Sequence, residues 1–266
     1  MKNKEPKIIV KNLTKKFGDR EILKNISFEV YDKEIFVIMG GSGSGKSTTI
    51  KHIIGLLKPT SGQIIVNGVD ITNLSNEELI EIRKKMGYLF QEGALFDSLT
   101  IWENVGFYYL ENTNMSPKEV FKLAQEKLKL VGLQGVEYLY PSELSGGMRK
   151  RASLARAIAT NPEIVLYDEP NSGLDPVTSA LIDKLVMDLR DNLGVTSVVV
   201  THDLESAFTI ADRIAMIHKG KIYAIGTPEE IKRSPDPVVQ QFINRKAEGP
   251  ITEELMREVI QKAKVK

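Results

Sequence analysis

The eight residues Gly40-Gly41-Ser42-Gly43-Ser44-Gly45-Lys46-Ser47 satisfy the pattern G-x-x-x-x-G-K-[ST] at every defined position. Their context narrows the fold sharply. Ile35–Met39 just before them is an unbroken apolar run, as expected of a strand buried on both faces. A helix is predicted after them, from Ser47 to about Leu57. Glycines let backbone amides turn inward around phosphates, and a helix N-terminus adds partial positive charge. Lys46 can then reach β- and γ-phosphates, and Ser47 can ligate Mg²⁺. Phosphate contacts are expected from Gly40, Gly41, Ser42, Gly43, Ser44, Gly45, Lys46, Ser47 and Thr48. A loop of this kind says nucleotide and no more, because GTPases, kinases and many ATPases share it.

The rest of the chain repeats the strand-then-helix pattern. Strands are predicted at Lys7–Phe17, Ile26–Val30, Ile64–Val66, Gly87–Phe90, Ile164–Tyr167 and Ser197–Thr201, with a late hairpin of Ile214–Ile217 and Ile222–Ile225. Helices are predicted from an Asn76 cap to about Lys85, at Ser145–Thr160, Pro176–Asn192 and Leu204–Ala211. Residues from about Thr100 to Leu139 read as mostly helical, with loops around Thr113–Ser116 and Gly132–Gly135. This is an α/β class with a largely parallel sheet, an added antiparallel part from the early strands and late hairpin, and an inserted helical subdomain.

Composition removes several alternatives. The chain has 266 residues, 42% hydrophobic and 27% charged, which favours one globular unit with an appendage. A net charge of +1 provides no field for nucleic acid or an anionic membrane. With no cysteine, disulfides, thiolate metal sites and cysteine nucleophiles are excluded, and a reducing compartment is permitted. The lysine-rich stretch Met1–Pro6 is followed by no long apolar run, so it does not read as a signal peptide. No stretch approaches the roughly 20 apolar residues that span a bilayer.

The second half decides among nucleotide-binding proteins. Ile164–Asp168 is an apolar strand that runs into a second carboxylate, Glu169, and ligands gather at the carboxyl ends of such strands. Asp168 is placed to hold Mg²⁺, mainly through water, and Glu169 to act as general base on the attacking water. Gln91 and His202 follow two further predicted strands, where an amide oxygen can serve Mg²⁺ or water and an imidazole can reach a γ-phosphate. Either is weak alone. Leu144-Ser145-Gly146-Gly147-Met148 opens a helix, with Ser145 as its N-cap and glycines clearing the approach.

In this order the motifs resemble the ABC ATPase family over roughly residues 7–240: Walker A (Gly40–Ser47), Q-loop (Gln91), LSGG signature (Leu144–Gly147), Walker B (Ile164–Asp168), catalytic Glu169, D-loop (Ser172–Asp175) and H-loop (His202). Gly41 and Gly173 are mild departures, standing where Pro and Ala are common. The resemblance implies a P-loop ABC ATPase fold, with a RecA-like, mostly parallel core, an antiparallel β subdomain, a helical subdomain of about 92–160 and a C-terminal helical extension. Residues 1–235 would form the nucleotide-binding domain, and residues 236–266 an extension contacting the neighbouring subunit. It further implies ATP as substrate, Mg²⁺ as cofactor and a head-to-tail dimer. Ser145, Gly146 and Gly147 would complete the partner's site across ATP, and Asp175 would link the two sites. Asp175 also suits a helix cap before Pro176. Phe17 occupies the adenine-stacking position, the alternative being a strand-end core aromatic.

The partner-facing segments Gln91–Phe96 and Leu99–Val105, the run Gly147-Met148-Arg149-Lys150-Arg151 and the tail Ser234–Phe242 with Glu248–Pro250 resemble the ATPase subunits of Mla/MCE-type lipid transporters. That likeness implies phospholipid or lipid transport across a diderm envelope. It also implies a peripheral position on the cytoplasmic face of the inner membrane, a permease, an MCE-domain protein and, as an optional addition, a small STAS-type subunit. Leu95 and Phe96 would then face a permease helix, with Trp102 either lining that groove or packed in the core. Against this stand a solvated face for Arg149–Arg151 and a solvated helical tail. A small-solute importer remains open, since it shares every catalytic residue. Soluble ABC proteins of translation or repair usually carry two ATPase units or a long coiled coil, and ABC ATPases that signal to cell-wall hydrolases are usually shorter. A binding module with dead catalysis is opposed by the intact Lys46, Asp168, Glu169 and His202.

Overall fold

The computed structural model describes residues 5–264. The basic start of the chain, on which the signal-peptide reading falls, has residues 1–4 outside the described residues.

Strands β1 (Pro6–Phe17) and β2 (Arg20–Tyr31) form a long antiparallel hairpin, and β4 (Ser61–Val66) with β5 (Val69–Asp70) extends it in the order β2-β1-β4-β5. The Asn67–Gly68 turn between β4 and β5 puts both residues at positive φ, as a tight hairpin requires. The second sheet has the order β10-β9-β3-β8-β7-β6, built from β3 (Ile35–Met39), β6 (Met86–Leu89), β7 (Ile164–Asp168), β8 (Thr196–Thr201), β9 (Arg213–His218) and β10 (Lys221–Gly226). All its neighbours are parallel except the β9–β10 hairpin. The parallel core and separate antiparallel subdomain agree with expectation. The late hairpin does not join that subdomain: β9 runs parallel to β3, inside the core sheet.

β3 is buried along its whole length because the sheet is covered on both faces. Ile35, Val37 and Met39 enter one apolar cluster, Phe36 and Ile38 the other, as a two-residue side-chain period demands. The first cluster continues under α6 (Pro176–Leu193) and α7 (Leu204–Ile210), the second under α1 (Lys46–Ile53) and the antiparallel sheet.

Helix α1 stops short of Leu57, at Gly55 with φ +72°. Helix α2 (Asn76–Arg83) is capped by Ser75, not Asn76. Ser75 Oγ accepts from the Glu78 amide while Glu78 accepts from the Ser75 amide, a reciprocal box worth about 1 kcal/mol. The helical subdomain consists of α3 (Ile101–Asn112), α4 (Pro117–Leu130) and α5 (Gly146–Ala157). The loop expected around Gly132–Gly135 is present, and residues 136–139, read as helical, are irregular as well. Gly132 and Gly135 take positive φ, and the Glu137 and Leu139 carbonyls accept the otherwise orphaned amides of Trp102 and Ile101 at the start of α3. Trp102 packs edge-on against Phe121 at 5.5 Å and touches the main core.

After α8 (Pro228–Lys232), α9 (Pro237–Ile243) buries Val238 and Val239 in the main core. The buried Gln241 accepts from the Ile251 amide at 2.7 Å, tying α9 to α10 (Pro250–Lys264). Glu254 of α10 reaches His218 Nε2 at 3.1 Å and Lys219 Nζ at 3.2 Å, while Leu255, Met256 and Ile260 stay exposed.

Candidate functional site

The carboxyl ends of β3, β6, β7 and β8 converge on one edge of the core sheet. The loop after β3 is forced by close packing as much as by torsion. A Cβ on Gly40 would lie 2.1 Å from the Ile217 carbonyl oxygen, and Gly45, at φ +109°, would press one 2.6 Å from Leu23 Cδ2. The Gly220 amide donates to the Ser44 carbonyl at 2.9 Å, fastening the loop to the β9–β10 turn.

Lys46, at the start of α1, is buried. Its Nζ donates to the carbonyls of Gly40 at 2.9 Å and Gly41 at 3.1 Å and lies 3.2 Å from Glu169 Oε1. Glu169 is 7% exposed and sits at φ +49°, a left-handed conformation uncommon for a residue with a side chain. Its other oxygen, Oε2, accepts from the His202 amide at 3.2 Å and lies 2.8 Å from His202 Nδ1. Beside it, Ser47 Oγ donates to Asp168 Oδ1 at 2.7 Å, and the Tyr88 hydroxyl donates to Asp168 Oδ2 at 3.1 Å. Burial first, then the Asp168 charge, pushes Tyr88 far above the ordinary tyrosine range, so it stays a neutral donor. Whatever Lys46 holds is thus one contact from a carboxylate that a histidine orients. That is an arrangement for positioning and deprotonating water next to a polyphosphate.

The oxygen pair of Ser47 and Asp168 matches the hard donors that Mg²⁺ prefers, and that ion is usually bound by few protein ligands plus substrate phosphates. Among the described residues no group of three or more His, Cys, Asp or Glu could hold a metal ion by itself.

The remaining sequence-derived residues distribute themselves differently. Thr48 follows Ser47 in α1, with its carbonyl 2.7 Å from His52 Nδ1. Gln91 is exposed just past β6, and its carbonyl accepts from the Lys150 ammonium. Phe17 is 50% exposed at the end of β1, with Lys15 Nζ 4.9 Å from its ring centre, so the core alternative fails for it. Ser145 caps α5 by accepting from the Met148 amide. A Cβ on Gly147 would lie 2.5 Å from Thr178 Cγ2, in the first turn of α6. Asp175 caps α6, accepting from the Val177 and Thr178 amides at 3.0 Å each. The signature and Asp175 therefore pack together. Among the described residues no hydrogen bond or ion pair joins Ser145, Gly146 or Gly147 to the phosphate loop of the same chain.

Sequence reasoning missed two residues. Tyr88 reads only as a strand aromatic. The solvated face weighed as the alternative for Arg149–Arg151 does not hold: Lys150 is 7% exposed, Arg149 Nη1 donates to the Leu144 carbonyl and Arg151 Nη1 to that of Gly132. Burial lowers the Lys150 ammonium below the ordinary lysine value, against the pull of Glu92, Asp168 and Glu169. The available signal was helical spacing, which sets Lys150 on the face of Ser153, Leu154 and Ala157. A groove of about 620 Å³ lies beside this helix, lined by Phe90, Phe96, Phe107, Tyr108, Arg83 and Arg156; Leu95 turns inward to the core.

A family model described as ABC transporter matches residues 23–172. The intermembrane phospholipid transport system ATP-binding protein MlaF of Haemophilus influenzae is 46% identical over 244 residues, 92% of both chains. A probable ribonucleotide transport ATP-binding protein, mkl, of Mycobacterium leprae is 44% identical over 92% of this chain and 70% of its own. Among solved structures, a dimeric ATP-binding cassette in a post-hydrolysis state with ADP and Pi superposes with a TM-score of 0.77 at 37% identity, over 83% of this chain and 98% of that one.

Proposed function

This chain belongs to the ABC transporter ATP-binding family, as an ATP-hydrolysing subunit coupled to transport, and from that premise we propose that it drives phospholipid or related lipid movement across a diderm envelope. The observation that carries the lipid assignment is the end-to-end likeness to the phospholipid-transport ATP-binding protein. Its working position would be peripheral, on the cytoplasmic face of the inner membrane. No helix among the described residues is long and apolar enough to cross a bilayer, so partners would supply the membrane path. These are a permease and an MCE-domain protein, with a small STAS-type subunit as a further candidate.

In the proposed mechanism the backbone amides of residues 40–45 and Lys46 bind the phosphates. Phe17 stacks on adenine, for which its ring is half exposed at the end of β1. Glu169 orients a water and takes its proton, His202 holds the Glu169 carboxylate from the opposite side, and Lys46 offsets the charge that develops on the phosphoryl oxygens. Ser47 and Asp168, joined by Gln91, would hold Mg²⁺, which when bound supplies positive charge to the phosphate oxygens. Ser145, Gly146 and Gly147 would face the ATP of a second copy, where the α5 N-terminus offers amides and a dipole to an anion that its own chain does not place there. Asp175 would report between the two sites. The groove containing Phe96 suits a permease helix. Residues 1–235 would form the nucleotide-binding domain, and residues 236–266 would steady the dimer, with the exposed Leu255, Met256 and Ile260 as the contact face.

Replacing Phe17 by Ala should weaken ATP binding about tenfold, with the fold unchanged, since stacking on one base is worth about 1–3 kcal/mol. Equal affinity in an equilibrium titration would remove Phe17 from the site. Co-purification from native membranes in mild detergent, with mass spectrometry of proteins and lipids, tests the transport assignment. A permease, an MCE-domain protein and enriched phospholipid support it. A permease with a soluble solute-binding protein, and no enriched lipid, would assign the chain to small-solute import. The same purification with the chain truncated after Ile231 should recover less dimer or complex; undiminished recovery would reject the role given to the tail.

A further inference from the structure

Helix α5 grips the segment that leaves β6 by its carbonyls. Arg156 donates to the carbonyls of Gly93 at 3.0 Å and Ala94 at 2.6 Å, and six residues earlier Lys150 donates to that of Gln91. Gly93 makes this approach possible: a Cβ there would lie 2.7 Å from Ser153 Oγ. Among the described residues the hydrogen bonds of the Arg156 guanidinium go to this segment, whereas Lys150 also reaches the residue that follows β7. Its Nζ lies 3.5 Å from the Glu169 carbonyl oxygen, which also accepts the Ser172 amide at 3.1 Å. That backbone carbonyl belongs to the residue held at φ +49°, whose side-chain carboxylate lies beside Lys46 and His202. A left-handed backbone at a residue with a side chain persists only where its surroundings hold it.

We propose that Lys150 is a positioning residue for hydrolysis, its buried ammonium reaching from α5 of the helical subdomain to the Gln91 carbonyl just past β6 and to the Glu169 carbonyl, so that the subdomain's placement sets the aim of the Glu169 carboxylate. The proposal rests on Glu169 being the base. It gives the chain a direct physical link between a segment next to the partner groove and the reacting carboxylate, through one side chain on the helix that also carries the signature. Arg retains the charge and donors at this position, and Met retains only length and bulk.

The test uses the full chain in the complex recovered from native membranes. Lys150→Met should lower kcat about tenfold while KM for ATP and the unfolding midpoint stay near those of the unaltered protein, and Lys150→Arg should recover at least half of kcat. A Lys150→Met kcat within about twofold of the unaltered value overturns the proposal. So does a loss that Lys150→Arg fails to recover and that tracks a lowered unfolding midpoint, which would mark a packing role. Glu169→Gln assayed alongside separates the two claims. Inactive Glu169→Gln with normal Lys150→Met rejects the lysine's role alone, while active Glu169→Gln rejects the base and with it anything Lys150 aims.

Discussion

Glu169→Gln is expected to keep ATP bound and to lose hydrolysis by at least about 10²-fold, the range that a positioned general base contributes. The substitution preserves shape: the amide oxygen can still accept from Lys46, and the amide nitrogen can donate to His202 Nδ1 in the tautomer that leaves that nitrogen unprotonated, at the cost of the contact with the His202 backbone amide. What disappears is an oxygen basic enough to take a proton from water. The expected product is an ATP-loaded chain that accumulates as dimer or complex, because hydrolysis is the step that would release it. Phosphate release measured beside nucleotide retention checks both halves. Turnover within about twofold of the unaltered protein would sink the assignment of Glu169 as base.

Lys46→Ala should act one step earlier, at binding. The buried ammonium holds the loop through Gly40 and Gly41 and faces Glu169 at 3.2 Å. Its loss removes the charge-assisted contact to the phosphates and leaves a buried carboxylate without its cation. Hydrogen bonds to charged groups are worth about 1.5–3 kcal/mol, which is about 10- to 100-fold in ATP affinity. Equilibrium binding to a fluorescent ATP analogue, read against the unfolding midpoint, distinguishes lost binding from lost folding. Unaltered affinity in a folded protein contradicts the proposed role of the loop.

The parts of this fold legible in sequence are those where one local rule suffices. Ile35–Met39 and Ile164–Tyr167 announce buried strands because a strand in a sheet covered on both faces reads as a nearly continuous apolar run. Asn67–Gly68 announces its hairpin through a backbone only such residues adopt easily. Strand order was not legible: nothing local says that β9 lies beside β3. The Ser75 cap was missed for Asn76 because both residues cap well, and Glu78 three positions beyond Ser75 was the clue. Lys150 was hidden by its basic neighbours, which invite a solvated reading until helical spacing is applied to each separately. The irregular stretch 136–139 owes its shape to partners at the start of α3, contacts that no window of sequence contains.

The order of strands in the core sheet has a consequence for how the protein is made. β3 lies between β8 and β9, both drawn from residues beyond 195, so it leaves the ribosome some 150 residues before either neighbour exists. During that interval its apolar run has two unpaired edges, the condition that favours association with other chains. The phosphate loop, made before Asp168, Glu169 and His202, acquires the strands on either side of β3 only after β8 and β9 have been synthesised. Biogenesis rather than the finished fold is then the stage at which this chain is most exposed to aggregation, and a chaperone that shields residues 35–39 would act there.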